Sequence, residues 1–221
     1  MKKIWALLEA LLGEVYLVGG AVRDLLLGRD PQDLDFATPL PPEEVARRLA
    51  PVAGGLDLKG AAYGTVAALL DGVPVEITTF RRDVRALGRK AEVAFGASLE
   101  EDLARRDFTV NAMALTLQGR LVDPFGGARD LEARVIRAVG DPRRRFAEDL
   151  LRVVRAVRFA AALEARVEEA TWQAALEAAQ KVLGAVSLPR LGQELTKGLL
   201  KGRGRFVALL NELGLLLMVV I

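Results

Sequence analysis

A glycine pair set between an apolar run and a helix-like segment constrains this chain more than any other feature. It lies in Leu17-Val18-Gly19-Gly20-Ala21-Val22-Arg23-Asp24, and Asp33-Leu34-Asp35 follows shortly after. Glycines at such a junction let an anion approach backbone N–H groups at the start of the helix, where the dipole favours negative charge. Two carboxylates one residue apart on a strand share a face. Asp33 and Asp35 are therefore candidate ligands of a divalent cation, with Leu34 and Phe36 facing the other way. A triphosphate cradle beside metal-binding carboxylates points to nucleotidyl transfer. Each half alone has a plainer explanation: Gly19-Gly20 as a tight strand–helix turn, and D-x-D as solvated charge or a turn. Neither G-x-x-x-x-G-K-[ST] nor G-x-G-x-x-G occurs, which disfavours P-loop and dinucleotide-binding folds.

Composition narrows the chemistry further. The chain contains no cysteine and no histidine, so disulfides, thiolate or imidazole metal sites, Ser-His-Asp triads and histidine acid–base catalysis are excluded. Carboxylates, lysine, arginine, hydroxyls and a hard, oxygen-bound cation such as Mg²⁺ remain. With 221 residues and 52% hydrophobic content, the chain can bury one large or two small cores. The net charge is only +2, yet eight arginines lie between Arg134 and Arg158 against Asp141, Glu148 and Asp149. That imbalance suits a phosphate-rich partner, with a solvated helix face as the alternative. Met1-Lys2-Lys3 is basic, but Glu9 and Glu14 interrupt the apolar segment, so it does not read as a secretory signal. No run is long enough to span a bilayer. A cytoplasmic protein with neither a membrane nor a disulfide partner is expected, and its oligomeric state is left open.

The first part alternates short elements. Trp5, Leu8 and Leu12 fit a leading helix, Val15 to Val18 a buried strand, and Ala21 to Leu27 a helix ended by Gly28. Leu34 to Thr38 continues the aspartate strand, and Pro41-Pro42-Glu43-Glu44 opens another helix. Tyr63 to Leu70 and Val73 to Phe80 read as strands joined by Asp71-Gly72 in a two-residue hairpin. Arg81 to Ala97 is expected to be a mobile basic loop. Ser98 and Glu101 form a capping box for a short helix to Arg106, and Leu115 to Val122 reads as a second hairpin about Gln118-Gly119. From Asp141 onward strand signals stop. Asp141-Pro142 is expected to start one long helix through Leu163, with Leu150, Val153, Val154 and Val157 on its apolar side. Helices follow at Glu168 to Leu183, Pro189 to Leu200 and Phe206 to Leu217. The fold class is thus α+β over residues 1–140, then all-helical over 141–221. The apolar stretch Leu213 to Ile221 expects a covering surface, for example further chain.

Glu76, in Val75-Glu76-Ile77-Thr78, is flanked by apolar residues and is expected to be a buried carboxylate needing a cation or an arginine. With Asp33 and Asp35 it would complete a two-metal site.

In chain order, GGAVRDLLLG, DLD, VEITTFR, EEDLARRDFTVNAMA, DPFGGARDL and GDPRRRFAEDLLRVVRAVRFAAAL together resemble the class II tRNA nucleotidyltransferases, the CCA-adding enzymes and their bacterial poly(A) polymerase relatives. The resemblance covers about residues 15 to 215. It implies a polymerase-β-type head, a mixed or antiparallel sheet with helices, over 1–140. A helical neck that recognises nucleotide would occupy 141–221. The implied activity is Mg²⁺-dependent, template-independent addition of CMP and/or AMP from CTP and ATP to the 3′ end of tRNA. By the same resemblance Asp33 and Asp35 are metal ligands and Glu76 the third catalytic carboxylate. Gly19, Gly20, Arg23 and Arg106 contact nucleotide, and Asp107 approaches the ribose.

Glu148-Asp149-Leu150-Leu151-Arg152 matches the segment the family uses to select the incoming base. The chemistry agrees. An ionised Asp only accepts hydrogen bonds and Arg only donates. Cytosine and adenine each pair an exocyclic amino donor with a ring-nitrogen acceptor, whereas uracil and guanine place a carbonyl where the amino group would be. Asp149 and Arg152, three apart on a helix, would select C and A; alternatively they form an ordinary intrahelical salt bridge. Arg152, Arg155 and Arg158 make a basic stripe that, buried against Val154 and Val157, would need the anions of a triphosphate.

Two departures stand out. The body and tail domains usual in the family do not follow Leu188-Pro189-Arg190-Leu191-Gly192-Gln193-Glu194-Leu195, so the sequence is either a fragment or grips tRNA less firmly. Ala86-Leu87-Gly88-Arg89-Lys90 lacks the acid–glycine–Arg-Arg element usual in members that add both C and A. A CC-adding or A-adding specialist, a poly(A)-adding enzyme and a silent nucleotide- or RNA-binding module therefore stay open as alternatives.

Overall fold

The computed structural model describes residues 1–85 and 92–216. Its chain divides into two compact units, one comprising 1–85, 92–106 and 110–128, the other 107–109 and 129–216.

The first unit starts with α1 (Lys2–Leu12), which buries Ile4, Trp5, Leu8 and Leu12 as its apolar spacing dictates. Then come β1 (Tyr16–Val18), α2 (Gly20–Leu26), β2 (Leu34–Thr38), α3 (Pro42–Leu49) and β3 (Gly55–Asp57). β4 (Thr65–Leu70) and β5 (Val73–Thr79) form the expected hairpin. Asp71 and Gly72 both take positive φ, the backbone twist that matches flanking strands. β6 (Arg81–Arg85) pairs antiparallel with β7 (Glu92–Phe95). The expected mobile loop from Arg81 to Ala97 is thus corrected to a two-stranded ribbon, while Ala86 to Lys90 lies outside the described residues. α4 (Leu99–Ala104) carries the complete Ser98/Glu101 capping box. β8 (Ala114–Leu115) and β9 (Leu121–Val122) turn about Gly119 as expected.

These strands build a seven-stranded mixed sheet ordered β3-β4-β5-β2-β1-β8-β9, in which only the β2–β5 pair is parallel. Alternation along the strands separates two cores. Leu17, Leu34, Phe36 and Ile77 join Trp5, Leu8, Val22 and Leu49 on one face, with Trp5 edge-on to Phe36 at 5.8 Å. Val18 and Ala37 join Phe80, Ala97, Leu103 and Ala114 on the other.

α5 (Gly127–Glu132) straddles the division. In the second unit β10 (Val135–Ile136) is followed by α6 (Pro142–Glu148), capped by Asp141, and α7 (Leu151–Ala162). The single helix expected from Asp141 to Leu163 is therefore two. Asp149 is extended between them (φ −153°, ψ 104°), which frees its side chain from any helical face. Strand structure also resumes after Asp141: β11 (Arg166–Val167) pairs in parallel with β10. α8 (Glu169–Ala179), α9 (Val182–Ala185), α10 (Leu188–Leu200) and α11 (Arg203–Glu212) complete this unit. α7 is its hub, burying Val153, Val154, Val157 and Phe159 while α10 and α11 pack on it. Leu213 and Leu215 are buried, whereas 217–221 of the apolar end lie outside the described residues. No helix among the described residues is long and apolar enough to cross a membrane.

Candidate active site

The parallel register of β2 and β5 sets Asp35 directly beside Glu76, and β4 places Ala67 on Glu76's other side. The Thr65 and Thr78 hydroxyls, 3.1 Å apart, continue this strip. Asp33 is exposed and lies in the bend just before β2, not on the strand as expected. Glu76 is also exposed, which corrects the expectation of a buried carboxylate: its neighbours Val75 and Ile77 are buried because they point to the opposite face. The desolvation falls on Asp35 instead. Burial, then the charge of Glu76, push its carboxyl from 3.8 up to about 6; Arg106 opposes this and Asp33 adds to it. An open cleft of about 660 Å³ is lined by Asp33, Asp35, Asp57 and Glu76 together with Leu56 and Pro74. Among the described residues no three acidic groups converge closely enough to hold an ion between them.

Gly19 caps α2 with φ 68° and ψ −131°, a conformation open to glycine alone. A Cβ there would stand 2.8 Å from Nη1 of Arg106, so the glycine also admits the guanidinium. Arg106 donates from Nη2 to Asp102 Oδ2 at 3.1 Å, while its buried Nε finds no hydrogen-bond partner. Arg105 donates to the other oxygen of Asp102 at 2.9 Å. Burial alone would raise the Asp102 carboxyl, but the two guanidinium groups hold it below its ordinary value. Arg23 folds back along Gly20 and donates to Asn111 Oδ1 at 2.6 Å and to Asp24. Asp102 and Asn111 went unread in the sequence. The spacing of Asp102 to Arg105 and Arg106 on a capped helix was a usable signal; the contact between Asn111 and Arg23, 88 residues apart, left none.

In the second unit Asp149 and Arg152 do not pair. Arg152 donates from Nη1 to Glu148 Oε2 at 2.8 Å and to the Arg145 carbonyl at 3.0 Å. Asp149 accepts from Leu151 N at 3.2 Å and from Arg190 Nη2 at 2.7 Å. Arg155 and Arg158 are half-buried as expected, but the chain supplies their anions. Arg155 donates to Asp107 (2.7 Å) and Glu194 (3.2 Å). Arg158 donates to Glu194 and lies 3.9 Å from the centre of the Phe159 ring. A triphosphate is thus not needed to offset these charges. Glu194 and Asp107, 36 and 48 residues away in sequence, do so through tertiary packing.

A mixed sheet bearing paired carboxylates beside a glycine-capped helix makes this an α+β head domain. Residues 15–137 match the Poly A polymerase head domain, and the chain belongs to that family. It is 45% identical over 208 residues to the CCA-adding enzyme of Geobacillus sp. (strain WCH70), covering 92% of this chain and 50% of that one. It is similar to the crystal structure of the Bacillus stearothermophilus CCA-adding enzyme in complex with CTP, with a TM-score of 0.86, 41% identity and coverage of 97% and 51%. The Thermotoga maritima CCA-adding enzyme complexed with tRNA gives a TM-score of 0.79, 31% identity and coverage of 97% and 50%. The chain therefore spans about half the length of the curated relatives it matches.

Proposed function

We propose that this chain carries the catalytic and base-selecting parts of a Mg²⁺-dependent tRNA nucleotidyltransferase of the CCA-adding type. It would extend a tRNA 3′ end with CMP and AMP from CTP and ATP, in the cytoplasm where those substrates occur. The observation that carries this reading is the in-register Asp35–Glu76 pair with Asp33 beside it, in a chain of this family. Relatives solved with CTP and with tRNA support the choice of substrates.

The donor set suits Mg²⁺. Four carboxylates line one cleft with no histidine or cysteine near, and burial first, then the charge of Glu76, raise the Asp35 carboxyl, a penalty on its ionised form that a hard cation would relieve. Asp33, Asp35 and Glu76 would hold it after their side chains turn inward, since as placed no three acidic groups among the described residues converge on one point. Bound there, the cation would ease deprotonation of the RNA 3′-hydroxyl and offset charge on the triphosphate. The hydroxyl attacks the α-phosphorus in line and pyrophosphate leaves. Arg106, held by Asp102 through Nη2, keeps Nη1 beside Gly19, where it offers a donor to a phosphate oxygen. Gly19 keeps the approach to that guanidinium free of a side chain, while Gly20 leaves room for the guanidinium of Arg23. Arg23, Arg155 and Arg158 already hold carboxylate or amide oxygens, so they orient Asp24, Asn111, Asp107 and Glu194. We assign residues 1–140 to the nucleotidyl-transfer head and 141–221 to the helical neck, where Asp149 accepts from the amino group of C or A and Arg152 donates to the ring nitrogen.

The test is extension of tRNAs ending before CCA, after C and after CC, with Mg²⁺ and CTP, ATP or both. Completion of CCA from all three is expected. Wild-type rates in Asp35→Ala, or equal use of UTP and GTP, would overturn the reading.

A further inference from the structure

We infer that Arg190 is a specificity-determining positioning residue, which locks the carboxylate of Asp149 in the orientation that accepts from the incoming base. The inference rests on the reading of Asp149 and Arg152 as base selectors. It extends that reading to a residue 41 positions further along the chain, on the first turn of α10.

Asp149 has no helical neighbours to hold it, because it is the extended residue between α6 and α7. Two donors replace that support. The amide of Leu151 binds Oδ1 at 3.2 Å, and Arg190 Nη2 binds Oδ2 at 2.7 Å. One donor on each oxygen sets the plane of the carboxylate, since rotation about χ2 would break both bonds. Each carboxylate oxygen has two acceptor sites, so one on each is left for a base. Its companion is held in the same manner: Arg152 is tied to Glu148 at 2.8 Å and to the Arg145 carbonyl at 3.0 Å. Acceptor and donor are thus fixed by separate partners, Arg190 for one and Glu148 for the other. Neither member of the reading pair is spent on the other.

Fixed orientation is what converts hydrogen bonding into selection. A pinned carboxylate meets the carbonyl of uracil or guanine oxygen to oxygen, and the cost of that contact is avoided only by turning away. Without Arg190 the carboxylate can turn toward water, and the penalty against the wrong bases shrinks. The pair is partly solvated, with side-chain exposures of 48% for Arg190 and 29% for Asp149. Its loss should therefore change overall stability little.

The experiment uses the 221-residue chain with Mg²⁺ and measures displacement of a fluorescent ATP analogue by CTP, ATP, UTP and GTP. The variants are Arg190→Gln, Arg190→Lys and Asp149→Asn, each with its thermal midpoint recorded. Arg190→Gln is expected to lower the preference for CTP and ATP over UTP and GTP by about fivefold or more, and Arg190→Lys to keep most of it. A ratio within about twofold of wild type in Arg190→Gln, while Asp149→Asn loses it, would overturn the role of Arg190 and leave base selection by Asp149 standing. Equal weakening for all four nucleotides in both Arg190 variants would also overturn it, as a purely structural effect. An unchanged ratio in Asp149→Asn, or no preference in the wild type, would overturn the underlying reading of Asp149.

Discussion

Asp35 on β2 stands beside Glu76 on β5 in parallel register, so two carboxylates share one side of the sheet while their apolar neighbours fill the other. The arrangement stores unfavourable charge, carried mainly by the more buried Asp35, whose carboxyl is pushed up to about 6.

That shift makes stability fall as pH rises. The native chain keeps the Asp35 proton where the unfolded chain has released it, so the native state binds more protons between about pH 4 and pH 6. In EDTA, Asp35→Asn should match wild type below about pH 4 and exceed it by about 3 kcal/mol above about pH 6. Urea unfolding across this range checks the sign; a wild type that gains stability through the window would contradict it. The same variant should lose nucleotidyl transfer.

Asp102 behaves in the opposite sense. Its side chain is 0% exposed and holds Arg105 and Arg106. Because its carboxyl is held below the ordinary value, its contribution is present at neutral pH and is lost as pH falls through the native value. Asp102→Asn leaves two guanidinium groups short of a charge partner and should cost about 3 kcal/mol at pH 7, read as a lower denaturation midpoint.

Gly19→Ala should cost about 2 kcal/mol, since it joins a strained φ to a clash with Arg106. Triphosphate affinity should fall with it, measured by titration of ATP; a variant that binds as tightly as wild type would detach Arg106 from the nucleotide site.

Glu194 is buried between two arginines. Glu194→Gln should destabilise the chain by about 3 kcal/mol, because Arg158 loses its carboxylate whereas Arg155 retains Asp107. The apolar double replacement Glu194→Leu with Arg158→Met should recover most of that loss. Denaturant curves of the single and double variants decide the point.

Much of the candidate site was legible before any coordinates. Gly19, Gly20 and Asp35 stood out through the order of a glycine pair at a strand–helix junction and a D-x-D at the following strand, whereas Arg106 came only with the family resemblance. Glu76 was singled out on an expectation of burial that the structure corrects. Flanking apolar residues suggested burial, yet on a strand the neighbours point away, and the side chain faces the open cleft. The basic stripe on α7 misled in a related manner, because a sequence shows that three arginines share a helix but not that Asp107 and Glu194 lie against two of them.

What the sequence determined by itself is whatever depends on neighbours within about five positions: the Asp71-Gly72 turn, the Ser98/Glu101 capping box, the apolar spacing of α1 and α7, and the glycine cap of α2. Turns, caps and helix faces are set by local sterics and hydrogen bonds, which composition and spacing encode directly. Tertiary structure alone decided which β5 residue meets Asp35, that the helix breaks at Asp149, and that Arg190, Glu194 and Asn111 hold residues 36 to 88 positions distant. Those pairings follow from strand register and helix docking, where burial of apolar area fixes the geometry and the polar contacts arrive as its consequence.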